Sequence, residues 1–276
     1  VAQEETLMSV QVRRLLLNLL LLLLVVGLGG VAWWQTSQPK TLPTTLLPLT
    51  RADITRVTIN PQPGSDKPVL VRLERSGDQW QMLEPESMPA NPARISQLFT
   101  LLDETVEASY AATGKDLKQY GLEPGNASLT LNEEILLFGA ENPVSHKRYV
   151  LHQGQIKLVS EAVFGLLTGE ALELVSRKLV PEGRQVKSLQ LPQGHASKPE
   201  TLQNWQMADA VRLEKLSGKV AGTGNITLTL DDGSSLVFSV LPQAGDLVLV
   251  NEAAGLRYTL PEPQRANLLP PAESSP

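Results

Sequence analysis

Leu15 to Trp34 reads LLLNLLLLLLVVGLGGVAWW, twenty consecutive residues without a formal charge. At a rise of about 1.5 Å per residue, a helix of that length matches a hydrocarbon core of about 30 Å. Arg13 and Arg14 precede the run and should hold its N-terminal end in the cytoplasm. Trp33 and Trp34 close the other end, where indole rings favour the lipid–water interface. Asn18 is the one strongly polar side chain in the run, and it can face lipid or a partner helix. A cleavable signal peptide competes with this reading, but its apolar region spans only about 7–15 residues and ends in a small-residue cleavage site. Gly30-Val31-Ala32 ahead of two tryptophans is a poor site of that kind. The run is therefore expected to be an uncleaved membrane anchor, starting with Leu15, with the rest of the chain exported. Translation can start at Val1 or at Met8, and the topology is the same.

That topology divides the chain. Residues 1–14 are expected to be a cytoplasmic tail, 15–34 the transmembrane helix, and 35–52 an extended linker spaced by Pro39, Pro43 and Pro48. Beyond it the pattern turns strand-like: Ile54, Val57 and Ile59, then Val69 to Leu73, a turn at Ser76-Gly77-Asp78, and Trp80 to Leu83. Asn91 and Pro92 are an N-cap and a first helical residue, and Ile95, Leu98, Leu102 and Val106 form the apolar stripe of a helix. Four strands follow at Ala127–Leu131, Ile135–Gly139, Tyr149–His152 and Gln155–Val159, with a tight hairpin at Gln153-Gly154. Ser160 caps a helix to Leu167, and Ala171 to Leu179 holds another helical turn or two.

The order then recurs. Val186–Leu191 answers the first strand, and Asn204-Trp205-Gln206-Met207 answers Asp78-Gln79-Trp80-Gln81-Met82. Asp209 is read as the cap of a short helix carrying Val211, Leu213 and Leu216. Strands at 226–230, 236–240, 247–250 and 256–260 and a helix at 262–269 complete the second copy. The fold expected is α+β: two similar lobes of antiparallel meander sheet with packed helices, 53–181 and 182–269, derived by duplication. Residues 270–276 are expected to be a disordered tail.

Several elements together resemble the DUF4340 family of bacterial envelope proteins. They are Gly77-Asp78-Gln79-Trp80, Ala90–Ala93, Tyr120-Gly121-Leu122-Glu123-Pro124, Leu136–Gly139 and Tyr149–Leu151. The resemblance covers about residues 53–180, and more loosely the rest. It implies a fold and an envelope location, with the bulk of the chain periplasmic and the anchor in the bacterial inner membrane. It implies no catalytic activity.

The rest of the sequence narrows the function classes. A net charge of −5 with no basic face argues against nucleic acid as a partner. The lack of cysteine removes disulfides and thiolate chemistry. His146 and His152 lie six residues apart, but no carboxylate has helical spacing to either, so no metal site is expected and both read as surface histidines. Asp103, Glu104 and Glu107 read as a solvated helix face, and Gly218 as a helix C-cap. Trp80 and Trp205 are expected to anchor each sheet to the helix that follows, or else to line a groove. Tyr120 and Leu122 should plug the core below a turn at Gly121.

The expectation is a non-enzymatic, cofactor-free, single-pass accessory or scaffold protein. Its partners would be the lipid bilayer, through the N-terminal helix, and another envelope or membrane protein. A small-ligand or lipid-binding module with a cleft between the lobes is the alternative. A carboxylate-dependent envelope hydrolase is the third reading.

Overall fold

The computed structural model describes residues 18–27, 44–106, 108–193, 195–196, 198–218 and 220–271. The chain forms two units, Val1–Thr44 and Thr45–Pro276. In the first, residues 18–27 are helical and exposed, Asn18 among them. Arg13, Arg14, Leu15, Trp33 and Trp34 lie outside the described residues. Among the described residues no helix is long and apolar enough to cross a membrane.

The second unit is α+β and built on two antiparallel sheets. Its strands are β1 (Arg56–Asn60), β2 (Val71–Ser76), β3 (Gln79–Glu84) and β4 (Met88–Pro89), then helix α1 (Pro92–Leu98) and β5 (Ser109–Ala111). A meander follows: β6 (Ala127–Leu131), β7 (Glu134–Glu141), β8 (Arg148–His152) and β9 (Gln155–Val159), closed by α2 (Phe164–Thr168). The second sheet takes β10 (Val186–Gln190), helix α3 (Pro199–Met207) and β11 (Arg212–Lys215). It ends with β12 (Gly224–Leu230), β13 (Ser235–Val240), β14 (Leu247–Asn251), β15 (Leu256–Leu260) and α4 (Glu262–Leu268).

The nine-stranded sheet runs β4-β3-β2-β1-β6-β7-β8-β9-β5, and the six-stranded sheet runs β10-β12-β13-β14-β15-β11. The last six strands of the first sheet thus follow the same order as the whole of the second. In each, an opening strand pairs with a four-strand meander, and a strand from before the meander returns to its far edge. The first sheet adds the hairpin β2–β3 and the short β4.

Alternation along the strands explains the layering. In β6 the residues Ala127, Leu129 and Leu131 are buried, and in β12 Ile226, Leu228 and Leu230 are. Neighbouring residues point to the other face of the pleat. One continuous apolar core joins Leu73, Leu129 and Phe138 of the first sheet to Trp205, Phe238 and Leu260 of the second part. Leu46 and Leu47, within the stretch read as linker, belong to that core at 1% and 2% exposure. The β8–β9 hairpin turns on Gln153 and Gly154, both left-handed at φ 46° and 73°. This is the two-residue geometry that matches strand twist.

Helix α1 begins as its sequence requires. The Asn91 side chain accepts from the N–H groups of Ala93 and Arg94 at 3.0 and 3.4 Å, and Pro92 occupies the first turn. Asn91→Ala should cost about 1 kcal/mol, read as a lowered midpoint in urea with an unchanged slope. The helix is shorter than its apolar stripe suggests. After Leu98 the chain tightens into a 3-10 turn through Asp103, and Val106 sits in an extended pair with Thr105.

The second half departs from the sequence reading in two places. Trp205 lies in helix α3, not in a strand matching β3. Pro199 in the first turn, Glu200 beside it, and the Thr201 hydroxyl accepting from the Lys198 N–H at 3.4 Å specify a helix start. Residues 212–215 are a strand, not a helix, and Asp209 bridges Lys178 instead of capping. Val211, Leu213 and Leu216 do not fit a 3.6-residue period, and the first two alternate as strand residues do. Gly218, at φ 79°, therefore follows a strand and caps no helix. Pro270 and Pro271, read as the start of the tail, are tied to the fold. His195 bridges Pro271, and the Ala196 N–H donates to the Pro270 carbonyl at 3.1 Å, while residues 272–276 lie outside the described residues.

Candidate binding cleft

Strand β11 forms one edge of the second sheet, and its pairing shows which backbone groups it leaves open. It pairs only with β15, in a register running from Arg212↔Thr259 to Lys215↔Leu256. The next N–H, that of Leu216, donates to the Gly255 carbonyl at 2.8 Å. Bonded and unbonded pairs alternate along an antiparallel ladder. Arg212 and Glu214 therefore direct their backbone groups at β15, and Leu213 and Lys215 direct theirs outward.

Beside this edge is a cavity of about 470 Å³ between the two sheets. Pro61, Val69, Val71 and Pro85 line it from the first sheet, Ala171 and Leu172 from the connector, and Leu213 and Lys215 from β11. The lining is mainly apolar, and Val69 is 63% exposed. That volume falls in the range of ordinary ligand sites, about 300–1,000 Å³. The Lys215 ammonium reaches the Glu86 carboxylate at 2.6 Å and so ties the second sheet to the loop after β3.

A smaller space of about 170 Å³ adjoins it and shares Glu170, Leu172 and Leu213. Arg94, Arg177 and Arg212 meet Glu170 and Glu173 there, and none of the five is in an ion pair among the described residues. The Arg177 Nη1 donates to the Val211 carbonyl at 3.3 Å, while its Nε is buried with no hydrogen-bond partner. A third space, about 290 Å³, lies between Met88, Val175, Leu179 and Tyr258, and burial pushes the Tyr258 hydroxyl up to about 12.

The residues singled out in the sequence lie apart from this cleft. Trp80 packs edge-on against Phe99 with ring centroids 5.6 Å apart, next to the end of α1. Trp205 is fully buried, with its indole donating to the Leu268 carbonyl at 2.9 Å. Tyr120 stands edge-on to Tyr149 at 5.0 Å. Gly121 is left-handed at φ 64°, and a Cβ there would meet the Ala140 backbone nitrogen at 2.7 Å. Gly121→Ala should therefore cost about 1–2 kcal/mol for the left-handed backbone alone, and thermal melting should show a lower midpoint.

The histidines also sort differently. His146 lies in the exposed turn before β8, against Glu141 at 2.8 Å. His152 is not a surface residue: it is 4% exposed, with Nε2 against Glu134 at 2.7 Å and Nδ1 against the Lys157 ammonium at 3.4 Å. His152 falls on the buried face of β8 with Arg148 and Val150, while Tyr149 and Leu151 on the other face are half-buried. Lys157 also donates to the Leu46 carbonyl at 3.0 Å, and burial lowers its pKa against the pull of Glu134. Among the described residues no three His, Asp or Glu side chains stand close enough to hold a metal ion. Asp103 pairs with Arg51, and the Glu104 carboxylate accepts from the Ser160 N–H, so the two do not share a solvated helix face. Glu107 lies outside the described residues.

Two carboxyls at turns, those of Asp53 and Asp232, are held low by hydrogen bonds. Asp53 is held below its ordinary value of 3.8 by the Thr50 hydroxyl and N–H, and Asp232 by the Ser234 hydroxyl and N–H. A carboxyl lowered on folding adds stability above its unfolded pKa, and that stability is lost as pH falls through the folded value. Thr50→Val should raise the Asp53 midpoint toward 3.8, as followed by carboxyl NMR between about pH 2 and 5.

The family described as "Domain of unknown function (DUF4340)" matches residues 80–223. The chain belongs to the DUF4340 family. The matched span starts at Trp80 and ends before β12, so this DUF4340 segment takes in both sides of the cleft, including Pro85, Ala171, Leu172 and all of β11. It extends past residue 180, beyond which the motif resemblance is looser, and omits residues 53–79. No curated protein and no solved structure matches the chain.

Proposed function

We propose that this DUF4340 chain is a single-pass accessory protein of the bacterial inner membrane whose periplasmic α+β unit holds another envelope protein at the cleft between its sheets. The observation that carries the binding role is the open edge of β11 lying against a mainly apolar cavity. Exposed apolar surface beside unpaired strand groups is what a protein interface uses. The anchor rests on the uncharged run 15–34, its arginine flank and its terminal tryptophans. The shared order of six strands in the two sheets supports an internal duplication, with α3 in the place of α1 and β11 in the place of β5.

Topology is testable on native membranes. The chain should stay in the pellet after alkaline carbonate washing, and protease added to spheroplasts should digest residues beyond 45. Release by carbonate, or protection of that unit, would remove the anchored reading. The second reading, a small apolar or lipid ligand in the cavity, is favoured by the volume and lining alone. Native mass spectrometry of the extracted protein separates the two, because a bound small molecule adds a discrete mass of lipid size.

A further inference from the structure

We propose that the partner is bound by strand addition: an extended segment pairs with the outer edge of β11, sets an apolar side chain in the 470 Å³ cavity and places a carboxylate on Arg94, Arg177 and Arg212. This rests on the accessory-protein reading and names the chemistry of its partner. Three independent features converge on it. The outward N–H and C=O groups of Leu213 and Lys215 are complementary to an extended backbone and to little else. The apolar cavity lies against the same residues, and pockets beside an edge strand select alternate side chains. At the other end of the edge, Arg94, Arg177 and Arg212 line the same space as Glu170 and Glu173, arginines in excess of carboxylates, with no ion pair among the described residues and with Arg94 donating to Gln97 at 3.0 Å. An acidic side chain arriving there would accept charge-assisted hydrogen bonds from the arginines that line the space. A basic segment would meet like charge at the arginines, and a ligand without a backbone would leave the β11 edge unmet. Both alternatives are outcomes of the test below.

The probes are the capped hexapeptide Thr-Val-Leu-Val-Glu-Thr, its reversed sequence, an analogue N-methylated at alternate amides, and an analogue with lysine for glutamate. They are titrated onto the full chain in mild detergent, and amide exchange is read at Leu213 and Lys215. One of the two sequence directions should slow exchange at both amides by about tenfold or more, while the N-methylated and lysine analogues bind at least about tenfold more weakly. Lys215→Pro removes one outward donor without removing a ladder bond, and proline is tolerated on edge strands in that setting. It should weaken binding by about tenfold, while Lys215→Ala, which also loses the Glu86 ion pair, stays within about threefold of the native chain.

Equal binding of the N-methylated analogue would overturn strand addition in favour of a side-chain pocket. Tighter binding of the lysine analogue would overturn the acidic partner. No protection at Leu213 or Lys215 with any probe at about 1 mM would overturn the proposal whether or not Lys215→Pro folds. The broader reading fails separately. If Lys215→Pro still assembles in native membranes as the native chain does, the accessory role stands and strand addition does not. If the native chain assembles with nothing, the accessory role falls.

Discussion

Trp205→Ala should destabilise the folded unit by about 3–5 kcal/mol, the range for removing a large aromatic from a core. The side chain is fully buried, and it sits 6.0 Å from Phe238, which in turn stands edge-on to Tyr258 at 5.8 Å. Its indole N–H donates to the Leu268 carbonyl at the end of α4, so the one residue joins α3, the sheet and α4. Domains of this kind are stable by about 5–15 kcal/mol, so the loss takes a large share. Trp205→Phe retains most of the apolar contact and removes the donor, which should cost about 1–3 kcal/mol for the orphaned carbonyl together with lost area. Urea titration of the three proteins should rank them in that order. Hydrogen exchange should show the loss concentrated in β12 to β15. Equal stability of native and alanine forms would mean that α3 does not pack as described.

Arg148→Ala is the second large effect, at about 3 kcal/mol, the lower end of the range for breaking a buried ion pair. Arg148 is only 7% exposed. Its guanidinium donates through Nε and Nη2 to the two oxygens of Glu161 at 2.8 and 2.6 Å, donates to the Gly139 carbonyl, and lies 3.4 Å from the centroid of the Phe164 ring. Removing it takes one of two donors from the Gly139 carbonyl, which keeps the Asn126 amide at 3.0 Å, and exposes the ring of α2. The Glu161 side chain is 42% exposed and can turn to water, which sets the cost at the lower end. Arg148→Met should restore part of the loss by covering Phe164, whereas Arg148→Lys cannot reproduce the bidentate pair and should fall between the two. Thermal midpoints should therefore rise in the order alanine, lysine, methionine, native, and lysine above methionine would instead show that the charge outweighs packing on the ring.

The first sheet was largely legible because its strands alternate cleanly. Val57 and Ile59, Leu129 and Leu131, and Leu136 and Phe138 each mark a buried face two residues apart. The Asn91–Pro92 start of α1 and the turns at Gly121 and Gly154 were legible for local reasons, since their conformations are fixed by single residue types. The second sheet was harder. The matching tripeptides at Trp80 and Trp205 invite one assignment, yet one lies in a strand and the other in a helix, because Pro199 and Glu200 start a helix that the tripeptide does not announce. Similarity of side chains is a weaker guide than the residues that begin an element. The strand order then aligns α3 with α1 and β11 with β5, a correspondence that pairing across the sheets reveals and local pattern does not.

The residues that line the cleft were not legible. Leu213 and Lys215 carry no motif, and their outward backbone groups follow from the register with β15, which only the assembled sheet defines. Val69, Pro85 and Leu172 come from three separate segments and look like ordinary strand and turn residues. His152 differs. Its place two residues after Val150 on the buried face follows from alternation, but the partners it meets there, Glu134 and Lys157, come from the neighbouring strands β7 and β9.

Gentle detergent extraction of native membranes, followed by size analysis and identification of every co-migrating protein, tests the central claim most directly. The account predicts a discrete assembly, well above the 30.0 kDa of this chain, that contains another envelope protein. Recovery of the chain alone, as a monomer with no partner under the mildest conditions, would contradict it.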